Sequence, residues 1–484
     1  MNIPSPTMQT RIFDWKAQGD FAFFSGDRNP MHMDAIFARR TQAGQPTVHG
    51  MHAVLWALDV LAQINALQGP LARIKVDFKK LIYAGDEVAL EIIHQDAGGI
   101  RLQLWVDGLV VTSLKLTFGE AILAITRESL GTVPLPSLQE EPAELSLDQM
   151  SHANGWLTFA RGIEAVAEFF PAIAAAISPR RVAALACMSR LVGMVCPGLH
   201  SIFSGFTMCT VGLAAQPDSI RYEVTNVDKR FRLIEQSVEG GGWMGAIESL
   251  ARVPPVIQAS AKHVAQFVRK NEFKHVSTLI VGGSRGLGEL TAKLIAAGGG
   301  AVTITYAVGR NEALDIQRQI CNSGGRCEIL QYDATKPAED QLEQLQLSPA
   351  SLYYFATPVI ARRKRDLYMQ SVLNDFLRVY VDGFHNIVQQ LSRTSDATLN
   401  VFYPSSVAVE EHSAEMTEYA MAKVAGEVLC ANLARFNKGL RLVVERLPRM
   451  LTDLTATVFP VETAEPLDVM LPIIRSVERQ TING

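Results

Sequence analysis

A chain of 484 residues is longer than one hydrophobic core usually organises, which predicts two to four domains and leaves room for more than one activity. With 48% hydrophobic and 19% charged residues and no long polar tract, the composition excludes a disordered protein. A net charge of −4 without a dense Lys/Arg block argues against nucleic acid as a partner.

No run reaches the roughly 18–20 apolar residues of a membrane span, and the start Met1-Asn2-Ile3-Pro4-Ser5-Pro6 lacks the basic-then-apolar design of a signal peptide. The expectation is a soluble, cytoplasmic protein. Cys187, Cys196, Cys209, Cys321, Cys327 and Cys430 are scattered through apolar segments without CxxC spacing, and read as reduced thiols with no disulfide framework and no metal site. Arg362-Arg363-Lys364-Arg365 is the sole basic cluster. It reads as a solvated face, with contact to a phosphorylated cofactor or carrier as the alternative.

In chain order, a polar loop leads to a helix over about residues 50–66 and strand-like stretches from 72 to about 126, with strands at 74–79, 87–93 and 109–118 set apart by Gly85, Gly98 and Gly99. One long helix followed by an antiparallel sheet is the element order of a hotdog fold. The acidic, proline-rich stretch 132–142 marks a boundary. Residues 146–257 repeat the order: a helix at about 179–195, then strands near 203–213, 220–227, 231–237 and 245–252. Gly69-Pro70-Leu71 and Pro197-Gly198-Leu199 stand at matching points, which supports a second hotdog unit covering the sheet edge of the first. Pro254-Pro255 closes this part, and 259–270 reads as a connecting helix. From 278 onward, apolar runs at 278–281, 302–306, 327–331, 352–355, 399–403 and 440–445 alternate with helices, the pattern of a doubly wound, Rossmann-like parallel α/β sheet. The expected domains are 1–130, 146–257 and 275–484.

Phe21-Ala22-Phe23-Phe24-Ser25-Gly26-Asp27-Arg28-Asn29-Pro30-Met31-His32, with Ala38 six residues on, resembles the signature of the MaoC-like (R)-specific hydratases and dehydratases. Val48-His49-Gly50-Met51 and Leu81-Ile82-Tyr83-Ala84-Gly85-Asp86 fit the same family, over about residues 15–120. Moving water across a double bond beside a thioester needs one group that takes a proton and one that handles the water. Asp27 and His32 supply both if the loop turns back, as Asn29-Pro30 favours. A developing enolate needs donors, and the amides of Gly50 and Met51 at a helix N-terminus qualify. Asn29, Gly50 and Met51 are the candidate oxyanion and substrate contacts. The bland alternative is a loop Asx-turn at Asp27 with His32 on the surface. His49 and His52 read as structural or pocket-lining. The second repeat has no such motif, and His200 opens a strand, so that half is expected to shape the acyl tunnel without performing chemistry.

Val281-Gly282-Gly283-Ser284-Arg285-Gly286-Leu287-Gly288 follows a strand and opens a helix, where backbone approaches a pyrophosphate and amides donate to it. Ser406, Tyr419 and Lys423 follow at spacings of thirteen and four, and the latter puts Tyr419 and Lys423 on one helix face. Together these resemble the short-chain dehydrogenase/reductase family over about 275–455. The resemblance implies Tyr419 as proton donor, Ser406 holding the substrate oxygen and Lys423 lowering the phenol pKa while binding ribose. It implies cofactor contacts at Gly282, Ser284, Arg285, Gly286, Leu287, Gly288, Asp333 (adenine), Tyr419, Lys423 and Thr452. No acid ends the strand Thr303-Ile304-Thr305-Tyr306, and Arg285 and Arg310 are placed to pair with a 2′-phosphate, so NADP(H) is favoured over NAD(H). Three departures stand out. Val281 replaces the usual Thr, Phe355-Ala356-Thr357 replaces Asn-Ala-Gly, and Tyr380 occupies the place of the helix Asn that normally supports a proton-relay water.

The resemblances imply a bifunctional acyl-thioester enzyme of fatty acid or polyketide type. NADPH-dependent 3-oxoacyl reduction would be followed by (3R)-hydroxyacyl dehydration, or the reverse, on a coenzyme A or carrier-protein thioester, in a homo-oligomer. The alternatives are a dehydratase whose reductase-like domain binds nucleotide without turnover, and a non-catalytic acyl-binding or assembly subunit.

Overall fold

The computed structural model describes residues 8–121, 139–212, 218–345, 348–360, 362–394, 397–453 and 461–479. Residues 122–126 of the expected strand tract, Leu213 and most of the 132–142 boundary lie outside them. The chain divides at Pro254-Pro255 into two compact units.

The first unit carries β1 (Gln9–Ile12), α1 (Trp15–Ser25), α2 (Gly50–Gln63), β2 (Leu71–Phe78), β3 (Glu87–Asp96), β4 (Gly99–Val106) and β5 (Leu109–Phe118). It continues with β6 (Asn154–Thr158), α3 (Pro171–Ile177), α4 (Pro179–Arg190), β7 (Ser201–Thr210), β8 (Ser219–Asp228), β9 (Leu233–Gly240) and β10 (Trp243–Ala251). All ten strands join one antiparallel sheet in the order β1-β3-β4-β5-β2-β7-β10-β9-β8-β6. The order mirrors itself about the β2–β7 pair, where Ile74 faces Met208 and Val76 faces Phe206. Each half thus places one long helix before its four main strands, and the β2–β7 pairing removes the edge that either half alone would expose. α2 is buried from Met51 to Leu61 and packs on α3 and α4, which accounts for its apolar character on every face. Asp59, the acid within it, accepts the amides of Ala172 and Ile173, both at 2.9 Å, at the start of α3.

Two expectations need correction. Trp15–Ser25 is a helix rather than a polar loop. Asp14 caps it by accepting the Ala17 amide, and Gly26 ends it in the left-handed region at φ 77°. The connecting helix at 259–270 shrinks to Ala261–Val264, because the following amides of Gln266 and Phe267 bond three residues back and the chain tightens into turns.

The second unit carries β11 (Ser277–Val281), α5 (Gly286–Ala297), β12 (Ala301–Tyr306), α6 (Arg310–Asn322), β13 (Arg326–Gln331) and β14 (Ser351–Tyr354). After these come α7 (Gln370–Leu377), a π-turn at Arg378–Gly383, α8 (Phe384–Thr394), β15 (Leu399–Ser406), α9 (Thr417–Phe436), β16 (Leu440–Leu447) and α10 (Pro466–Val477). The six strands are parallel in the order β13-β12-β11-β14-β15-β16. Strand order reverses between β11 and β14, which opens a crevice at their carboxyl ends, the place where ligands bind in open α/β sheets in general.

Among the described residues no single helix is long and apolar enough to cross a membrane. The bent pair Pro171–Ile177 and Pro179–Val195 passes by composition, and much of its surface is core of the first unit.

Candidate functional sites

Gly26 throws the chain out of α1, and Asn29 then caps the turn Pro30–Met33, accepting the Met31 amide at 3.0 Å, with Pro30 at a first helical position where no N–H is needed. The turn carries His32 back toward Asp27. Ligating atoms of Asp27, His32 and His49 all lie within 4.8 Å of one another. His32 Nδ1 faces the Thr47 carbonyl at 2.8 Å, which assigns the proton to Nδ1 and leaves Nε2 as the lone-pair nitrogen. Its ring stacks on His49 at 4.0 Å. His49 Nε2 donates to the Asp27 carbonyl at 3.0 Å, and its Nδ1 faces Gln18 at 2.9 Å, so neither nitrogen is spare for a metal. His52 stacks on Phe21 inside the core.

Asp27 is 2% exposed. One carboxylate oxygen accepts Ser189 Oγ–H at 2.7 Å and the other accepts the Asn29 amide at 3.2 Å. Burial raises its pKa, opposed by His32 and these two bonds. Burial lowers that of His32, opposed by Asp27 and the Thr47 carbonyl. The pair is therefore pushed toward sharing a single proton. α2 begins at Gly50 without a side-chain cap on its first amides, and a Cβ on Gly50 would meet the Phe78 ring.

Asn29, expected at the substrate, is committed elsewhere. Its amide donates to the carbonyls of Gly193 (2.7 Å), Gly198 (3.2 Å) and Leu199 (3.4 Å), so it clamps the first half of the unit to the second. His200 stands just before β7, 3.3 Å from Glu144.

In the second unit the glycine loop runs from β11 into α5. Gly282 (φ 79°) and Gly286 (φ 58°) take left-handed conformations, and a Cβ on Gly288 would overlap the Gly282 backbone. α5 starts with no side-chain cap, so its first amides face the crevice side of the fold as donors. Arg285 is paired with Asp453 at 3.6 Å, whereas Arg310 is exposed at the start of α6. Asp333 heads a turn, accepting Thr335 N–H (2.9 Å) and Oγ–H (2.7 Å). Leu287 lies in the first turn of α5, Ser284 is buried in the loop, and Thr452 lies in the segment after β16.

Ser406 and Tyr419 share a hydrogen bond that lowers the phenol pKa, against a larger rise from burial. Lys423 Nζ donates to the Pro404 carbonyl at 2.7 Å and lies over the Tyr380 ring at 3.8 Å. Burial brings its pKa down to about 7. The basic cluster is not a plain solvated face, since Lys364 forms a buried ion pair at 2.5 Å with Glu418, the neighbour of Tyr419, and Arg362 pairs with Asp375 at 3.3 Å.

A family model described as the MaoC like domain matches residues 16–112. The chain carries a MaoC-like domain. No curated protein sequence matches the chain. Among solved structures it is similar to a short-chain dehydrogenase from Burkholderia cenocepacia in complex with NADP, at 22% identity over 43% of this chain and 91% of that one, TM-score 0.39. It is also similar to a short chain dehydrogenase from Salmonella enterica serovar Typhi (18% identity, 45% and 95% covered, TM-score 0.39). A 3-oxoacyl (acyl-carrier-protein) reductase from Agrobacterium tumefaciens with NADP bound gives 21% identity, 37% and 72% covered, TM-score 0.33.

The MaoC-like domain does not complete its own site. Ser189 at the end of α4 and Gly193 in the π-turn Leu191–Val195 come from the other half of the unit, and a Cβ on Gly193 would overlap the Asp27 carboxylate. Neither belongs to a local motif, so sequence reading missed both. The one available signal was the position of this helix as counterpart of α2.

Proposed function

We propose that this protein is a bifunctional acyl-thioester enzyme: a (3R)-hydroxyacyl dehydratase or enoyl hydratase at Asp27 and His32, and an NADPH-dependent 3-oxoacyl reductase at Tyr419. Residues 146–257 are read as a second hotdog unit, without an acid–base pair of its own, that completes the first. The observation that carries the proposal is the buried Asp27 and half-buried His32 held together beside the uncapped start of α2.

In dehydration, His32 Nε2 takes the C2 proton and Asp27, whose protonated form burial favours, gives its proton to the 3-hydroxyl as the C–O bond breaks and the double bond forms. The amides of Gly50 and Met51 stabilise the enolate oxygen. His32 then returns its proton to Asp27. Hydration runs the same steps backwards.

In reduction, NADPH supplies the hydride when bound. Tyr419 gives its phenol proton to the substrate oxygen, Ser406 orients that oxygen, and the Lys423 ammonium stabilises the phenolate and holds ribose. The glycine loop fits a pyrophosphate by its left-handed turns and α5 amides. Arg310, exposed beside a strand end that carries no acid, fits a 2′-phosphate better than Arg285, whose charge Asp453 already offsets. NADP(H) is the favoured cofactor, in keeping with the NADP bound by the Burkholderia and Agrobacterium structures.

The test is purified protein with a 3-oxoacyl thioester and NADPH, as coenzyme A and as carrier-protein conjugates. NADPH oxidation followed by enoyl absorbance supports the reading. Enoyl formation from a (3R)-hydroxyacyl thioester alone supports a dehydratase with a nucleotide-binding but inactive second domain, and neither signal supports a non-catalytic acyl-binding subunit.

A further inference from the structure

Two of the departures from the reductase pattern, Thr357 and Tyr380, touch each other. The Tyr380 hydroxyl lies 2.5 Å from Thr357 Oγ1, and Thr357 donates its own proton to the Pro358 carbonyl at 3.0 Å, so Tyr380 is the donor of the pair. The π-turn Arg378–Gly383 sets the ring there, and Tyr380 is 1% exposed. Phe376 stacks with it at 5.9 Å and 4°, and the Lys423 ammonium sits 3.8 Å from the ring centroid. The Tyr380 carbonyl accepts from the Tyr403 hydroxyl at 3.2 Å, tying the π-turn to β15, whose Pro404 carbonyl holds the same ammonium.

Resting on the reading of this site as nucleotide-binding, we infer that Tyr380 is a positioning residue: locked by Thr357, its ring face and the Pro404 carbonyl together hold the Lys423 ammonium in a buried seat. The ring face and the carbonyl thereby offset part of the burial that pulls the Lys423 pKa down. Glu427, one turn along α9, bonds Arg446 and Ser405 and also attracts the ammonium, raising its pKa against burial, and the other ionisable groups facing the ammonium are the phenols of Tyr403 and Tyr419 and the Cys430 thiol, all neutral near pH 7. Cation–π attraction in a desolvated site favours the charged lysine.

The depressed lysine pKa makes the seat measurable. Lys423 is charged below about pH 7 and loses its proton as pH rises through that value, so NADPH affinity falls along that limb. Tyr380→Leu fills the space without a π-face and removes the attraction, which moves the midpoint of the limb down by about one pH unit. Thr357→Val and Tyr380→Phe are milder changes that each leave the ring in place but break the same hydrogen bond, and both move the midpoint the same way by less. The measurement is NADPH fluorescence titration from pH 5.5 to 9, a readout that requires no turnover. Nucleotide binding with the same midpoint in the wild type, Tyr380→Leu and Thr357→Val overturns the role of Tyr380 alone. Absence of NADPH binding in the wild type overturns the reading of the site.

Discussion

Ser189 donates a 2.7 Å hydrogen bond to the Asp27 carboxylate from 162 residues further along the chain. The bond joins the motif-bearing half of the first unit to the half without a motif. With Gly193, whose hydrogen leaves room for the same carboxylate, it fixes the rotamer of Asp27 opposite His32. Ser189→Ala should lower kcat for dehydration by about 10–100-fold, the range for losing a hydrogen bond to an ionisable group, with little change in KM. Steady-state kinetics on a (3R)-hydroxyacyl thioester checks this. A KM effect without a kcat effect would place Ser189 at the substrate instead.

Gly193→Ala puts a methyl where the Asp27 carboxylate lies. Overpacking of this kind costs roughly 1–3 kcal/mol, so a lower melting temperature and loss of dehydration are expected together, with NADPH binding unchanged.

Asp27 is held at a cost in stability. Its folded pKa lies above its unfolded value, so between the two the native state binds more protons, and stability falls as pH rises through that window. Asp27→Asn removes the penalty of burying a charge. It should raise the melting temperature at pH 7 while abolishing dehydration, with the difference from wild type shrinking as pH falls below the ordinary carboxylate range. Calorimetry across pH measures it.

The dehydration rate should be bell-shaped in pH. The working state carries one proton on the Asp27–His32 pair. A second proton, added on the acid side, blocks the base, and loss of the shared proton on the alkaline side removes the acid. Because burial disfavours the doubly protonated, cationic pair, the acid limb should fall below the usual histidine range. Hydration should show the same bell, since the reverse reaction uses the same total protonation.

Much of this was legible in the chain. The string from Phe21 to His32 marked the first site because its chemistry is local: a helix stop, a cap and a turn return His32 to Asp27 within a few residues. The six strands of the second unit were legible because buried parallel strands are continuous apolar runs. Ser189 and Gly193 were not, since they reach Asp27 only through the pairing of β2 with β7, and no local pattern records a contact across 162 residues. Asn29 was misread for the same reason: its acceptors at Gly193, Gly198 and Leu199 lie in the other half. Thr357 and Tyr380 were visible as departures, but that they answer one another appears only when β14 and the π-turn are brought side by side.

Arg310 bears on cofactor choice. Arg310→Glu should weaken NADPH relative to NADH by about tenfold or more, as a lost charge-assisted contact to phosphate and an added repulsion would do. Competitive fluorescence titration reads it, and an unchanged ratio would move the 2′-phosphate contact to Arg285.

The account stands most directly on one comparison: wild type and Asp27→Asn, each given a (3R)-hydroxyacyl thioester and, separately, a 3-oxoacyl thioester with NADPH. The expected result is enoyl absorbance from the wild type alone and NADPH oxidation by both. Dehydration by Asp27→Asn at the wild-type rate would contradict the assignment of the first site.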